Sequence, residues 1–288
     1  MDDFRPIDPA DLEACADVFY AADDDLMTRR GMPLSPRNRV ALLRLFSHIQ
    51  ATSPRRAWLA ERDGRVLGFG MSAERERLVF LSFLFVEPAE QSRGLGRALL
   101  ERSMADAEHK AVCIFSIQPV SAALYAMYGM VPRVPLYTFT GLPTKPLPGL
   151  PMGLSVGPLE VQQTADLDRA VTGFARAQDH AAWLGWERRL FGLFEAGRPV
   201  GYGYAQASGR LGPVVTERPE LVLPFVGALM HELGAIDAWM VHVPGPAAEP
   251  FSALLDAGMR LDGPPVLFCA SSHAIDHSRY LPSTFALP

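Results

Sequence analysis

The run Gln91-Ser92-Arg93-Gly94-Leu95-Gly96-Arg97 carries the clearest chemical potential in this sequence. It follows the apolar segment Leu84-Phe85-Val86-Glu87-Pro88 and precedes an amphipathic stretch, so it reads as the turn from a strand into a helix. Glycines at 94 and 96 let the backbone take positive φ and come close to a ligand. The first amides of a helix have no internal partners and sit at the positive end of its dipole. Such a turn suits a pyrophosphate, and Arg93 and Arg97 add positive charge. The plainer alternative is a tight strand–helix turn with no ligand. Position 99 is leucine, so the dinucleotide fingerprint is incomplete. No Gly-Lys-Ser/Thr follows, which excludes a Walker loop.

A second group is Asp179, His180 and Trp183, a carboxylate, an imidazole and an indole within one helical turn. They could wall an amine site, the carboxylate for charge and the indole for cation–π contact. A capped helix with a core tryptophan is the plainer reading, and the favoured one. His273 and His277 are four apart without a third ligand nearby, so no metal site is expected. Cys15, Cys113 and Cys269 are scattered and odd in number, which gives no disulfide framework. Glu74 and Glu76 belong to a charged hairpin that solubilises the surface, and Glu87 reads as a solvated carboxylate. No general base is evident.

The elements that position these residues follow from hydrophobic period. Asp8 and Pro9 fit the N-cap and first position of a helix carrying Leu12, Cys15 and Phe19, and a second helix fits Asn38–Gln50. Strands are expected near 57–62 and 65–72 around Asp63-Gly64, over Leu78–Val86, over Ala111–Ile117 and over Val134–Thr140. Helices are expected from Leu95 to about His109 and from Ser121 to Met127. The strands at 78–86 and 111–117 form a parallel pair joined by the helix between them. Residues 143–151, Pro-Thr-Lys-Pro-Leu-Pro-Gly-Leu-Pro, read as a semi-rigid linker.

The two sides of that linker resemble each other. Gly64 aligns with Gly197, Arg97–Leu100 with Gly227–Met230, and Gly129-Met130 with Gly258-Met259. Two copies of one fold of about 130 residues account for this, the alternative being a chance similarity of β-hairpins. In the second copy Gly94 falls on Pro224, Gly96 on Val226 and Tyr125 on Leu254, so the loop chemistry is absent there.

Gln91-Ser92-Arg93-Gly94-Leu95-Gly96 resembles the Gln/Arg-x-x-Gly-x-Gly/Ala signature of the GNAT acetyltransferase superfamily. Ser121-Ala122-Ala123-Leu124-Tyr125-Ala126-Met127-Tyr128-Gly129-Met130 is similar to a later segment of the same family, and the likeness spans roughly residues 4–140. The resemblance implies an α/β protein of two GNAT-like domains in tandem, 1–142 and 152–288, the second degenerate. Each would be a mixed, mainly antiparallel sheet with flanking helices and one parallel strand pair. It further implies that the amides of Gln91, Ser92, Arg93, Gly94, Leu95, Gly96 and Arg97 hold the pyrophosphate of acetyl-CoA. Leu84, Phe85 and Val86 would pair with the pantetheine arm. Tyr125 would protonate the leaving thiolate. Gln118 stands where the family often has asparagine.

The expected activity is acetyl transfer from acetyl-CoA to the amine of a small or amino-acid-like acceptor. The alternative is a CoA-binding regulatory or interaction protein without turnover, and a third possibility is an α/β domain with no cofactor. The net charge of −5 disfavours nucleic acid. Neither a signal peptide nor a membrane span is evident, so a cytoplasmic monomer or homodimer is expected.

Overall fold

A computed structural model describes residues 2–272 and 275–288; His273 lies outside the described residues. The first half runs β1 (Asp3–Pro6), α1 (Leu12–Arg29), α2 (Arg39–Thr52), β2 (Ala57–Arg62), β3 (Arg65–Arg75), β4 (Leu78–Val86), α3 (Leu95–Ser103), β5 (His109–Phe115), α4 (Pro119–Met127) and β6 (Val131–Gly141). The second runs β7 (Leu154–Gly157), α5 (Ala165–Thr172), α6 (Ala177–Gly185), β8 (Arg189–Glu195), β9 (Arg198–Ala205), β10 (Arg210–Thr216), α7 (Val222–Leu233), β11 (Trp239–Pro244), α8 (Ala248–Asp256), β12 (Arg260–Ala270) and β13 (Tyr280–Leu281). The internal repeat is present element by element. Helices α4 and α8 have nine residues each and strands β6 and β12 eleven each, both pairs 129 positions apart.

Local sequence explains most boundaries. Asn38 caps α2 by accepting from the Ala41 amide at 3.0 Å. Pro9 opens a short 3-10 turn, so α1 starts at Leu12, later than Asp8-Pro9 alone predicts. Helix α3 stops at Ser103, six residues before the expected end: Asp106 takes positive φ, and His109 already pairs with Leu78.

Among the described residues thirteen strands belong to one sheet, in the order β1-β2-β3-β4-β5-β12-β6-β11-β10-β9-β8-β7, with β13 beside β10. Pairs β4–β5 and β10–β11 are parallel, and the other pairs are antiparallel. The two halves therefore exchange their last strands. Strand β12 lies against β5 of the first half, and β6 lies against β11 of the second. The second half extends the first edge to edge and does not cover its sheet.

The proline-rich segment is docked and is not a free spacer. Thr144 donates its amide and hydroxyl to the Ala257 carbonyl at 2.7 and 3.0 Å, and Leu147 and Leu150 pack on the second half's core. A cavity of about 600 Å³ lies between this segment and α7. No helix among the described residues is long and apolar enough to cross a membrane.

The halves are also joined by buried charge. Arg75 at the end of β3 grips Asp179 of α6 through Nε at 2.7 Å and Nη2 at 2.5 Å, and His48 of α2 meets the same carboxylate at 2.6 Å. Both Arg75 and Asp179 side chains are fully buried. Glu74 is held by Arg56 at 2.8 Å. The 73–77 hairpin is thus partly a junction, where a solvated surface was expected.

Candidate functional site

Strand β4 pairs with β5 only from Leu78↔His109 to Leu81↔Val112. Beyond that point β4 stays bonded to β3 as far as Gly68↔Val86, while β5 stays bonded to β12 as far as Phe115↔Val266. The two parallel strands splay, and the β4 edge from Ser82 to Val86 has no strand beside it. A free strand edge offers donors and acceptors to an extended ligand. Leu84, Phe85 and Val86 lie on this edge. Leu84 packs toward α3, and the Phe85 ring meets Phe19 of α1 at 4.7 Å, so both faces of the strand are held.

The free edge runs into the glycine loop. Gln91 ties the turn, its Nε2 donating to the Val86 carbonyl at 3.1 Å. Ser92 and Gly94 have φ of 66° and 89°, and Gly94 is the left-handed N-cap of α3. A Cβ built on Gly94 meets nothing within 4 Å, so the glycine serves conformation and leaves the space in front open. The first backbone amide to find a partner is Ala98, which donates to Gly94 at 3.0 Å. The six amides from Ser92 to Arg97 donate to no backbone or side-chain acceptor among the described residues. These unbonded donors at a helix N-terminus form a cradle for an anion. Leu95 is buried beneath it, and Gly96 has only Val86 near its Cβ position, at 3.7 Å. Arg97 is exposed, whereas Arg93 is paired with Glu90 at 2.9 Å.

Tyr125 stands on α4 with its ring in an apolar cluster that includes Leu81, Leu100, Ile114 and Cys269, with Leu84 against it. Its hydroxyl has no hydrogen-bond partner among the described residues. Burial, followed by the nearby Cys269 thiol, pushes the phenol well above its usual value, so it stays protonated. Cys269 comes from β12, so the exchanged strand completes the wall behind this tyrosine. No carboxylate suggested by the sequence is left as a free base. Glu74 is bound to Arg56, Glu76 to Arg169 at 3.1 Å and Glu87 to Arg65 at 3.6 Å.

Asp179, His180 and Trp183 do not wall a cleft. They are exposed by 0, 1 and 1 %, and the carboxylate is consumed by Arg75 and His48. Burial alone would raise the Asp179 carboxyl, but hydrogen bonds from Arg75 and then His48 hold it below its usual range. His180 bonds Asp168 at 2.9 Å and Tyr204 at 2.8 Å. Asp168 also takes Arg176 at 3.0 Å and the Tyr202 hydroxyl. This polar network fills the second half's core where the first half has Phe46, Phe69 and Met71. The core reading of α6 is the one that holds. Sequence reasoning missed the roles of Asp168 and Arg176, since Asp168 lies in the charged run Asp166-Leu167-Asp168-Arg169 and nothing local marks it as buried.

The glycine loop and the tyrosine have no counterparts at the matching positions of the second half. Pro224 lies inside α7, which begins at Val222 with no left-handed glycine before it, and Leu254 is fully buried in α8.

Residues 23–130 match the model of the acetyltransferase (GNAT) family. No curated protein sequence gives a match. A Pyrococcus horikoshii protein classed with the acetyltransferases superposes with a TM-score of 0.77 at 16% identity, over 100% of this chain and 96% of that one. A GCN5-related N-acetyltransferase from Sphaerobacter thermophilus gives 0.64 at 17% identity, over 96% and 98%. A tandem GNAT protein from the clavulanic acid biosynthesis pathway gives 0.55 at 17% identity, over 94% and 98%.

Proposed function

We propose, for a chain whose residues 23–130 match the acetyltransferase (GNAT) family and whose fold is similar to that of a tandem GNAT protein, that its first half transfers an acetyl group from acetyl-CoA to the amine of a small acceptor. One observation carries the reading: the unpaired edge of β4 ends on six unbonded amides. That arrangement fits a ligand made of an extended amide-bearing arm joined to a pyrophosphate. The amides of Ser92 to Arg97 would hold the pyrophosphate, with Arg97 nearby. The edge from Ser82 to Val86 would pair with the arm.

The chemistry asks little more of the protein. The amine nitrogen forms a bond to the acyl carbon, the carbon–sulfur bond breaks, and the thiolate takes a proton. Tyr125 is the group we assign to give that proton: it is neutral, belongs to the apolar cluster against which Leu84 packs, and its hydroxyl has no other partner among the described residues. A backbone amide on the free edge of β4 would steady the developing oxyanion. The surplus proton of the amine leaves through water, since Glu74, Glu76 and Glu87 are all in ion pairs.

That lack of a free carboxylate also favours a second reading, a CoA-binding protein without turnover. The test takes the full chain. A thermal titration with acetyl-CoA comes first, then a thiol-release assay with a panel of amines. A ligand that binds only the folded protein, at ~100 times its Kd, adds ~2.7 kcal/mol, a visible shift. A saturable shift with acceptor-dependent thiol release supports transfer. A shift without release supports the second reading, and no shift at millimolar acetyl-CoA defeats both.

A further inference from the structure

The second half holds two buried guanidinium groups beside a neutral imidazole that the acyl-transfer cleft does not use. Arg188 lies between α6 and β8, Arg210 opens β10, and His242 belongs to β11. The three converge on the irregular point of β10. Arg188 Nη1 donates to the Gly212 carbonyl at 3.2 Å, and Arg210 Nη1 donates to the Ser283 carbonyl at 2.8 Å. A Cβ on Gly212 would lie 2.9 Å from the Pro282 carbonyl oxygen, so these two backbones touch. Leu211 pairs with Val241, which sets His242 beside Gly212. Aromatic rings close the cluster: Phe285 lies 4.1 Å from the His242 ring, and Trp183 and Trp186 lie 6.0 and 5.9 Å from the Arg188 guanidinium.

The charge is one-sided. Buried Arg75 and Arg176 have Asp179 and Asp168, but Arg188 and Arg210 form no ion pair among the described residues. Burial, then the charge of Arg210, pushes Arg188 down to about 9, and burial lowers Arg210 as well. Of the three buried donors without a partner among the described residues, Ser103 Oγ lies in the first half, and the other two are Arg188 Nε and the Trp183 indole Nε1. Trp183 is 1 % exposed. A buried donor left unmatched is costly and a buried unpaired guanidinium more so, so such groups point to a missing counter-charge.

We propose that Arg188, Arg210 and the Trp183 indole N–H form a binding site for a small carboxylate, separate from the acyl-transfer cleft. Two coplanar oxygens match the paired donors of a guanidinium, and flat rings on several sides favour a planar anion over a hydrated tetrahedral one. The repeat gives the place a meaning. At the 130-residue offset Gly212 corresponds to Ser82, where β4 begins to splay from β5. The half that lost its cofactor loop therefore keeps a polar centre at the matching β10–β11 junction. This assignment does not depend on the transfer activity of the first half.

The test uses the full chain without acetyl-CoA. Melting and calorimetric titrations are run with sodium formate, sodium acetate and inorganic phosphate, at ionic strength fixed with sodium chloride. We expect saturable stabilisation by formate and acetate, with phosphate weaker. Trp183→Phe keeps the charges and most of the shape but removes one donor to the anion, and should weaken carboxylate affinity about tenfold. Arg188→Met should abolish the response while melting no lower than the parent in the absence of anion, because it removes an unpaired charge. Equal or stronger stabilisation by phosphate would overturn the choice of a carboxylate. No saturable response, or the same response in both variants, would overturn the site.

Discussion

Asp179→Ala tests one of the contacts that join the two halves. In the parent, both Asp179 oxygens are taken by Arg75 at 2.7 and 2.5 Å, and neither side chain reaches solvent. Removing the carboxylate leaves the guanidinium in place with the Glu74 carbonyl at 2.8 Å, the Ser53 hydroxyl at 3.3 Å and His48 Nε2 at 3.4 Å, none of them charged like the lost partner, and leaves His48 without its carboxylate. An orphaned buried charge costs about 3–5 kcal/mol. At roughly 2–4 °C per kcal/mol for a chain of this order of size, the melting point should fall by about 10 °C. Replacing both partners, Asp179→Leu with Arg75→Met, removes the charges together and should recover most of that loss, because a buried ion pair exchanged for apolar volume is often near neutral. The assay is differential scanning calorimetry of the parent, both single variants and the double. An Asp179→Ala melting point within a degree or two of the parent, or a double variant as unstable as the singles added, would refute the reasoning.

Tyr125→Phe should lower kcat with little change in acetyl-CoA affinity or melting point, since the hydroxyl has no partner to lose; unchanged turnover would remove its acid role. Gly94→Val should abolish acetyl-CoA binding in a calorimetric titration, because a β-branched residue is strained at φ 89° and its side chain enters the open space before the amides; tight binding by this variant would misplace the site. Acid should destabilise the chain in two stages. Burial, then the charges of Arg210 and Arg188, pushes His242 down to about 3, and burial pushes His277 down to about 4. Both stay neutral in the fold while the unfolded chain takes up protons near pH 6.5, so stability falls as pH drops from about 6.5 toward 4. Asp179, with its folded value depressed, contributes stability above an unfolded value of about 3.9 that is lost as pH falls further; a melting point flat between pH 7 and 4 would contradict the histidine assignments, and one that stays flat below pH 4 would contradict that of Asp179. Residues 1–142 alone should not form a folded monomer that binds acetyl-CoA, because β5 loses β12 and exposes an edge. Co-expression with 152–288 should restore a stable pair, as read by size-exclusion chromatography.

The sequence by itself determined the local pieces. Gly94 and Gly96 between an apolar run and an amphipathic one define a strand–helix turn whatever surrounds them, since positive φ and free first-turn amides are properties of a few consecutive residues. Helix α2, the β2–β3 hairpin and the full extent of β4 were legible for the same reason: capping residues, turn residues and apolar period act within a dozen positions. So was the repeat, and with it the missing loop of the second half. The length of α3 was not, because the pairing of His109 with Leu78 ends the helix before its own pattern runs out. The exchange of β6 and β12 was likewise hidden. These are two apolar strands of equal length at equivalent places in a repeat, so each could complete either half, and local sequence cannot tell an internal pairing from a crossed one. Buried charge was hidden too. Arg75, Arg176 and Arg188 look alike in the chain, but the fold gives the first two a carboxylate from 104 and 8 residues away and gives the third none among the described residues. Which charges are matched depends on desolvation and on partners brought together from distant segments, and only the tertiary structure supplies both.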